Sequence, residues 1–148
     1  MDFIEHGTSL NESTLRLMAQ TETAWTPTLC AVLGVPDTAS EAARKRVAGY
    51  RDRLRELLPL AQRLGVPVLA GTDTAGSVAR EVALLAGHGL EPLAALRAAT
   101  TAGYRFLGER FDGAGQPATL VTYKDDPRDD LGILSAPLAV VIDGVRIR

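Results

Sequence analysis

Two side chains stand where an α/β chain places its chemistry. His6 follows the short run 3–5, and Asp73 follows the apolar run 66–70 through Gly71 and Thr72. Loops at the carboxyl ends of parallel strands converge on one rim, where ligands and reacting groups collect. A neutral imidazole at His6 could bind a divalent metal, and a carboxylate at Asp73 could bind the same ion or serve as a general base toward water. The structural alternative is that Asp73 caps the helix expected near Ser77 while His6 is a hydrogen-bonded loop residue. Spacing alone favours that alternative.

The other candidates read as structure. His88, the second of two histidines, lies between Gly87 and Gly89 at a helix end, where an imidazole acts as a C-terminal cap that favours the macrodipole. Cys30 follows the second strand with no histidine placed to activate it, and reads as a buried structural thiol. The cluster Asp125, Asp126, Asp129 and Asp130 lacks the glycine and closing glutamate of a calcium loop, and reads as a solvated turn. Residues 44–55 are rich in arginine but also carry Asp52, with Glu56 next to them, and this is the pattern of a solvated helix face. Gly71 and Gly76 do not form a phosphate loop.

Composition narrows the field. With 148 residues, 46% hydrophobic and 23% charged, one compact domain of ordinary composition is expected. A net charge of −2 offers no general attraction to nucleic acid or anionic lipid, so neither is expected as a partner. No apolar run approaches the roughly 20 residues that span a bilayer, and the opening MDFIEH lacks the basic and apolar regions of a leader. A cytoplasmic location is the expectation. The single cysteine leaves any metal site to histidine and carboxylates.

Those side chains need elements to position them. A strand at 3–5 is followed by a helix opening at Ser9, which has capping-box spacing to Glu12, with Leu10, Thr14, Leu17, Met18 and Thr21 at helical intervals. A short strand ends near Thr28. Thr38 and Glu41 repeat the capping box ahead of the clearest helix, marked by Val47, Tyr50, Leu54, Leu57, Ala61 and Leu64. Pro59 is expected to kink or break it by clashing with the Arg55 carbonyl, and Gly65 to close it. The continuous apolar run 66–70 suits a strand buried on both faces of a parallel sheet. Helices at 77–86 and 92–107 come next, the second entered through Pro92. Beyond Gly108 come short strands at 119–123 and 138–142, an Asp143-Gly144 hairpin turn, and a last strand at 145–147. Alternating strands and helices imply βαβ units, and three parallel strands with open edges suggest part of a larger architecture.

The stretches IEHGTSLNESTLRLMAQ, WTPTL, GVPVLAGTDTAG and EVALLAGHGLEPLAALRAATTAGYRFLG occur in order from Ile4 to Gly108. They resemble the C-terminal part of metal-dependent amidohydrolases, in the branch that includes imidazolonepropionase and the Xaa-Pro dipeptidases. The resemblance implies an α/β fold that is a partial (β/α)8 TIM barrel. Residues 1–108 would hold the last three strand-helix units of the barrel domain, and 109–148 the C-terminal strands of a small composite β-sandwich. It further implies that His6 is the metal ligand after the sixth barrel strand. Asp73, after the eighth, would bind metal and take a proton from the attacking water. Thr72 and Gly71 of the GTD motif belong to the turn. The family's His-x-His after the first strand, the lysine or acid after the fourth and the histidine after the fifth have no counterpart here. In the tail, Thr119 stands where the family often has an acid.

These implications set the functional expectation. The sequence is expected to belong to a hydrolase of carbon–nitrogen bonds, in a non-peptide amide or imide or an Xaa-Pro dipeptide, using a divalent metal, with zinc the expected ion. Four-ligand structural zinc contributes about 10 to 16 kcal/mol, so two ligands supply roughly 5 to 8 kcal/mol. That corresponds to an affinity between micromolar and sub-millimolar, so the isolated chain should hold metal weakly or not at all and be inactive. Its partners would be a small-molecule substrate in the complete enzyme and either a second copy or a chain supplying the N-terminal half-barrel. The competing expectation is a non-catalytic, truncated module that pairs through its open strand edges.

Overall fold

The computed structural model describes residues 2–109 and 115–148; Met1 and residues 110–114, which the sequence assigns to the first run and the start of the β tail, lie outside the described residues. Strand β1 (Phe3–Glu5) pairs in parallel with β2 (Ala24–Thr26), with Ile4 opposite Trp25. Residues 66–70 lie alongside β2 as a third parallel segment, joined by one bridge between Trp25 and Val68. Trp25 N–H donates to the Pro67 carbonyl and Leu69 N–H to the Trp25 carbonyl, at 2.8 Å each. This segment is less regular than the continuous strand expected. Pro67 has no proton to donate, and Ala70 N–H donates to the Ala98 carbonyl instead.

Helix α1 (Glu12–Gln20) connects β1 to β2, and α3 (Glu41–Leu64) leads from β2 to the third segment. Both begin later than the capping-box spacing predicts. Leu10 N–H bonds the Gly7 carbonyl, which holds residues 7–10 in a turn, and Asn11 rather than Ser9 caps α1 by accepting from Thr14 N–H. A turn closed by Ala39 N–H and the Pro36 carbonyl likewise displaces Thr38, and Ser40 caps α3 through Ala43 N–H. The buried face of α1 is Leu15 and Met18, whereas Leu17 is exposed. Pro59 does not end α3, which runs on to Leu64 and closes at Gly65 with φ of 77°. The Pro59 ring packs instead against a glycine: a Cβ on Gly89 would lie 2.8 Å from the Pro59 Cγ.

A short helix that the sequence did not announce, α2 (Leu29–Val32), follows β2 directly and contains Cys30. After α4 (Val78–Gly87), the single helix expected over 92–107 is two, α5 (Pro92–Ala98) and α6 (Thr101–Leu107). Thr100 breaks it, with Oγ1 bonded to the Leu96 carbonyl and its N–H to that of Arg97, a tightening that frees the Ala98 carbonyl for the third segment. The core gathers Leu15, Trp25, Leu29, Leu54, Leu58, Val82 and Leu85, all fully buried between sheet and helices.

The C-terminal part is a separate antiparallel sheet in the order β3 (Leu120–Thr122), β4 (Ala139–Ile142), β5 (Val145–Arg146), with a 3-10 turn at Leu131–Ser135. Asp143 and Gly144 have φ of 49° and 80°, as a two-residue hairpin turn of the primed type requires. The molecule is therefore a mixed α/β structure. Among the described residues, no helix is long and apolar enough to cross a membrane.

Candidate functional site

Because the three segments are parallel, their carboxyl ends lie on one side, and there the chain leaves β geometry abruptly. His6, Gly7, Thr28, Asp73 and Thr74 have φ of 59°, 65°, 50°, 47° and 62°. The left-handed region costs an L-residue about 1–2 kcal/mol, so backbone strain is concentrated at this rim, as it is at many functional sites. The structure brings the two sequence-predicted residues together: His6 Nε2 stands 3.7 Å from Asp73 Oδ2. Their side chains are 44% and 50% exposed, open enough to meet a ligand. As an ion pair they would contribute little at that exposure.

His6 is held from several directions. Its N–H donates to the Thr26 carbonyl at 2.9 Å, and its own carbonyl accepts from Trp25 Nε1 at 3.2 Å and from the Tyr50 hydroxyl at 3.1 Å. Burial pushes the Tyr50 phenol up to about 12, against the opposing pull of Arg53, so it remains a donor at any ordinary pH. Gly7 makes the turn because nothing else fits. A Cβ there would lie 2.6 Å from Leu10 Cδ1 and 2.7 Å from Trp25 Nε1. The imidazole itself is fixed by a 2.6 Å hydrogen bond between Nδ1 and Thr28 Oγ1.

Thr28 is fixed in turn by a group that the sequence reading passed over. Glu81, fully buried on α4, accepts from Leu29 N–H and Cys30 N–H with its two carboxylate oxygens, at 2.7 Å each. Those are the first free N–H groups of α2, and a carboxylate satisfies them and the helix dipole together. The sequence signal was present: Glu81 shares a face with Val82 and Leu85, the buried stripe of α4. Thr28 itself obeys the strand-end rule that picked out His6 and Asp73.

Asp73 is not the cap of α4. Ser77 is, accepting from Arg80 N–H at 3.2 Å, whereas His6 is the hydrogen-bonded loop residue that the structural alternative expects. The turn that carries it is tight: Ala75 N–H bonds the Thr72 carbonyl, and a Cβ on Gly71 would lie 2.7 Å from Thr26 Cγ2. His88 is the C-terminal cap expected, buried, with Nδ1 2.7 Å from the Leu84 carbonyl. Cys30 is a free, buried thiol whose pKa is raised, first by burial and then by its hydrogen bond to Glu81. In the acidic cluster, Asp126 is held down to about 2 by its hydrogen bonds from Arg128, and Asp130 caps the 3-10 turn. The arginine-rich face of α3 is largely exposed.

Does the His6–Asp73 pair suit a metal ion? An imidazole nitrogen and a carboxylate oxygen are both zinc donors, and two ligands at about 2.0–2.2 Å in a tetrahedral arrangement lie roughly 3.4 Å apart. The observed 3.7 Å is close to that, so the donor pair fits. Among the described residues no group of three or more histidine, cysteine or acidic side chains could hold an ion.

No family model matches the chain. An uncharacterized protein of Mycobacterium tuberculosis is 36% identical over 156 residues, spanning 97% of this chain and 42% of that protein. The crystal structure of a Xaa-Pro dipeptidase with methionine bound in its active site superposes with a TM-score of 0.80 at 24% identity, covering 100% of this chain and 40% of that one. An amidohydrolase crystal structure gives a TM-score of 0.80 at 22% identity, covering 99% and 40%. The chain thus spans about two-fifths of the length of the proteins it matches. The fold of the chain is that of the corresponding part of these two structures.

Proposed function

We propose that this chain supplies the last three strand-helix units of a (β/α)8 barrel, residues 1–108, and strands of a small β-sandwich, residues 109–148, of a metal-dependent amidohydrolase. The reaction is hydrolysis of a carbon–nitrogen bond in a small molecule, either an Xaa-Pro dipeptide or a non-peptide amide or imide. The observation that carries this reading is the convergence of His6 and Asp73 to 3.7 Å at the carboxyl ends of parallel strands, in a chain with an amidohydrolase-superfamily fold.

His6 Nε2 and Asp73 would hold the divalent ion, with zinc the first choice for this donor pair. When bound, such an ion polarises the scissile carbonyl and makes a water more acidic. Asp73 takes the proton of the attacking water as its oxygen bonds to the carbonyl carbon, then returns it to the nitrogen as the C–N bond breaks, leaving an acid and an amine. The Gly71–Thr26 contact and the Ala75–Thr72 turn keep the carboxylate on the rim while it does so. Two donors and one side of a pocket do not enclose a substrate, so the activity belongs to an assembly in which further strands complete the ligand set and the walls. The edge of β1 away from β2 has no strand partner among the described residues, and is where such strands would join.

The test is hydrolysis of Xaa-Pro dipeptides and N-acyl amino acids, with zinc present, by a polypeptide or complex that joins this chain to the missing strands. Turnover is expected, and Asp73→Asn should lower kcat by about 100-fold or more, the scale of a lost general base. Turnover within a few fold of the unmodified assembly would overturn the role of Asp73.

A further inference from the structure

We propose that Thr28 is the positioning residue that fixes the tautomer of His6, so that Nε2, the nitrogen facing Asp73, carries the lone pair. The inference rests on the reading of His6 as a metal ligand, but its geometric part stands apart from any metal. Thr28 is 1% exposed, and its Oγ1 lies 2.7 Å from the Pro27 carbonyl oxygen and 2.6 Å from His6 Nδ1. A carbonyl only accepts, so the hydroxyl proton must lie on the line to Pro27; without it, two oxygens would face each other at 2.7 Å with nothing between them. Thr28 Oγ1 is then an acceptor toward the ring, and Nδ1 must be the protonated nitrogen. In a neutral imidazole that leaves Nε2 bare, 3.7 Å from the Asp73 carboxylate.

The hydroxyl has little freedom to rearrange. Thr28 is held in the left-handed region at φ of 50°, and its carbonyl accepts from Ala31 N–H and Val32 N–H at 3.0 Å. The next two N–H groups, of Leu29 and Cys30, are clamped by Glu81. Orientation therefore passes from a buried carboxylate on α4, through the first turn of α2, to a ring nitrogen on the loop after β1. Metal-binding histidines generally have their second nitrogen fixed in this way, and losing the fixing partner lowers metal affinity by about 10- to 100-fold. Here the partner is a hydroxyl whose own proton is committed elsewhere, and it can play only one part.

The test uses the 148-residue chain with 15N-labelled histidine, studied by NMR with the imidazole neutral, in the original sequence and in Thr28→Val and Thr28→Ser. His6 is expected as the Nδ1–H tautomer in the original chain and in Thr28→Ser, whereas Thr28→Val, of nearly the same shape, should move it toward Nε2–H. A zinc titration should show a midpoint raised about 10- to 100-fold in Thr28→Val and little changed in Thr28→Ser. A merely structural role for Thr28 would alter folding without exchanging the ring proton between nitrogens. An Nε2–H tautomer in the original chain overturns the proposal even if Thr28→Val fails to fold, as does a folded Thr28→Val with unaltered tautomer and midpoint. If the tautomer is as expected but zinc leaves His6 unperturbed, the metal-ligand role fails and the orienting role of Thr28 survives.

Discussion

The two sheets of this chain are built on opposite terms. At the carboxyl ends of β1, β2 and the third segment, Trp25, Thr28 and Glu81 are almost wholly removed from solvent, and the strained turns at His6 and Asp73 are held by specific hydrogen bonds. In the β3–β4–β5 sheet, Leu120, Val121, Ile142 and Val145 are exposed, and the interactions are those of a hairpin: ladder bonds, a primed turn, and Thr119 Oγ1 accepting from Asp143 N–H. The rim keeps left-handed conformations because the surrounding structure over-determines them. Within the antiparallel sheet, the left-handed residues Asp143 and Gly144 stand where a two-residue turn demands them. At His6 the strain is held by groups outside the turn, whereas in the hairpin the turn needs it for itself.

Variants can break this contrast, and their effects should fall in a definite order. Glu81→Ala leaves two buried N–H groups without an acceptor, and should destabilise the chain by about 3–5 kcal/mol in urea unfolding. A loss below about 1 kcal/mol would show that water replaces the carboxylate and that the rim is not over-determined. Gly7→Ala forces a Cβ to within 2.7 Å of Leu10 and Trp25 at φ of 65°, for an expected loss of about 2–3 kcal/mol from overpacking and strain; an unchanged midpoint would mean that the His6 turn relaxes freely.

Tyr50→Phe removes one of the two side-chain donors to the His6 carbonyl and should cost about 1 kcal/mol. It also sharpens the comparison through pH. The unfolded phenol ionises near 10 and the folded one near about 12, so the native state keeps a proton in that window that the unfolded state has lost. Stability present below pH 10 should therefore fall as pH rises from 10 to about 12, and Tyr50→Phe should flatten the fall in alkaline unfolding curves. An equal fall in both proteins would place the titrating group elsewhere. The smallest effect belongs to the tail: Val121→Thr, on an exposed face, should change stability by less than about 0.5 kcal/mol, and a loss several times larger would reveal a covering that the contrast denies.

Much of the rim was legible from residue types. His6 and Asp73 stand out in the sequence because each is the polar residue that succeeds a strand, and the structure brings them face to face. Thr28 succeeds the remaining strand and was missed because it reads as the end of that strand, which in fact stops at Thr26. Glu81 was missed because an acid in the first turn of a helix usually faces water, and only its phase with Val82 and Leu85 tells otherwise. Helix starts were misplaced at Ser9 and Thr38 because capping-box spacing is local, whereas the turns at Gly7–Leu10 and Pro36–Ala39 decide where each helix can begin. The break at Thr100 was hidden for a related reason. A threonine hydroxyl bonded back one turn and a tertiary bond from Ala70 to Ala98 together outweigh continuous helical periodicity. In the tail, Asp143-Gly144 was readable because that dipeptide carries its own turn geometry.

The pairing of His6 and Asp73 as metal ligands is most directly tested by titrating zinc into the 15N-histidine-labelled chain and into its Asp73→Ala variant while following His6 Nε2. A saturable shift confined to His6 is predicted, with a midpoint between about 1 µM and several hundred µM, weakened about tenfold or more when Asp73 is removed. A His6 signal that ignores millimolar zinc, or the same midpoint in both proteins, would contradict the pairing.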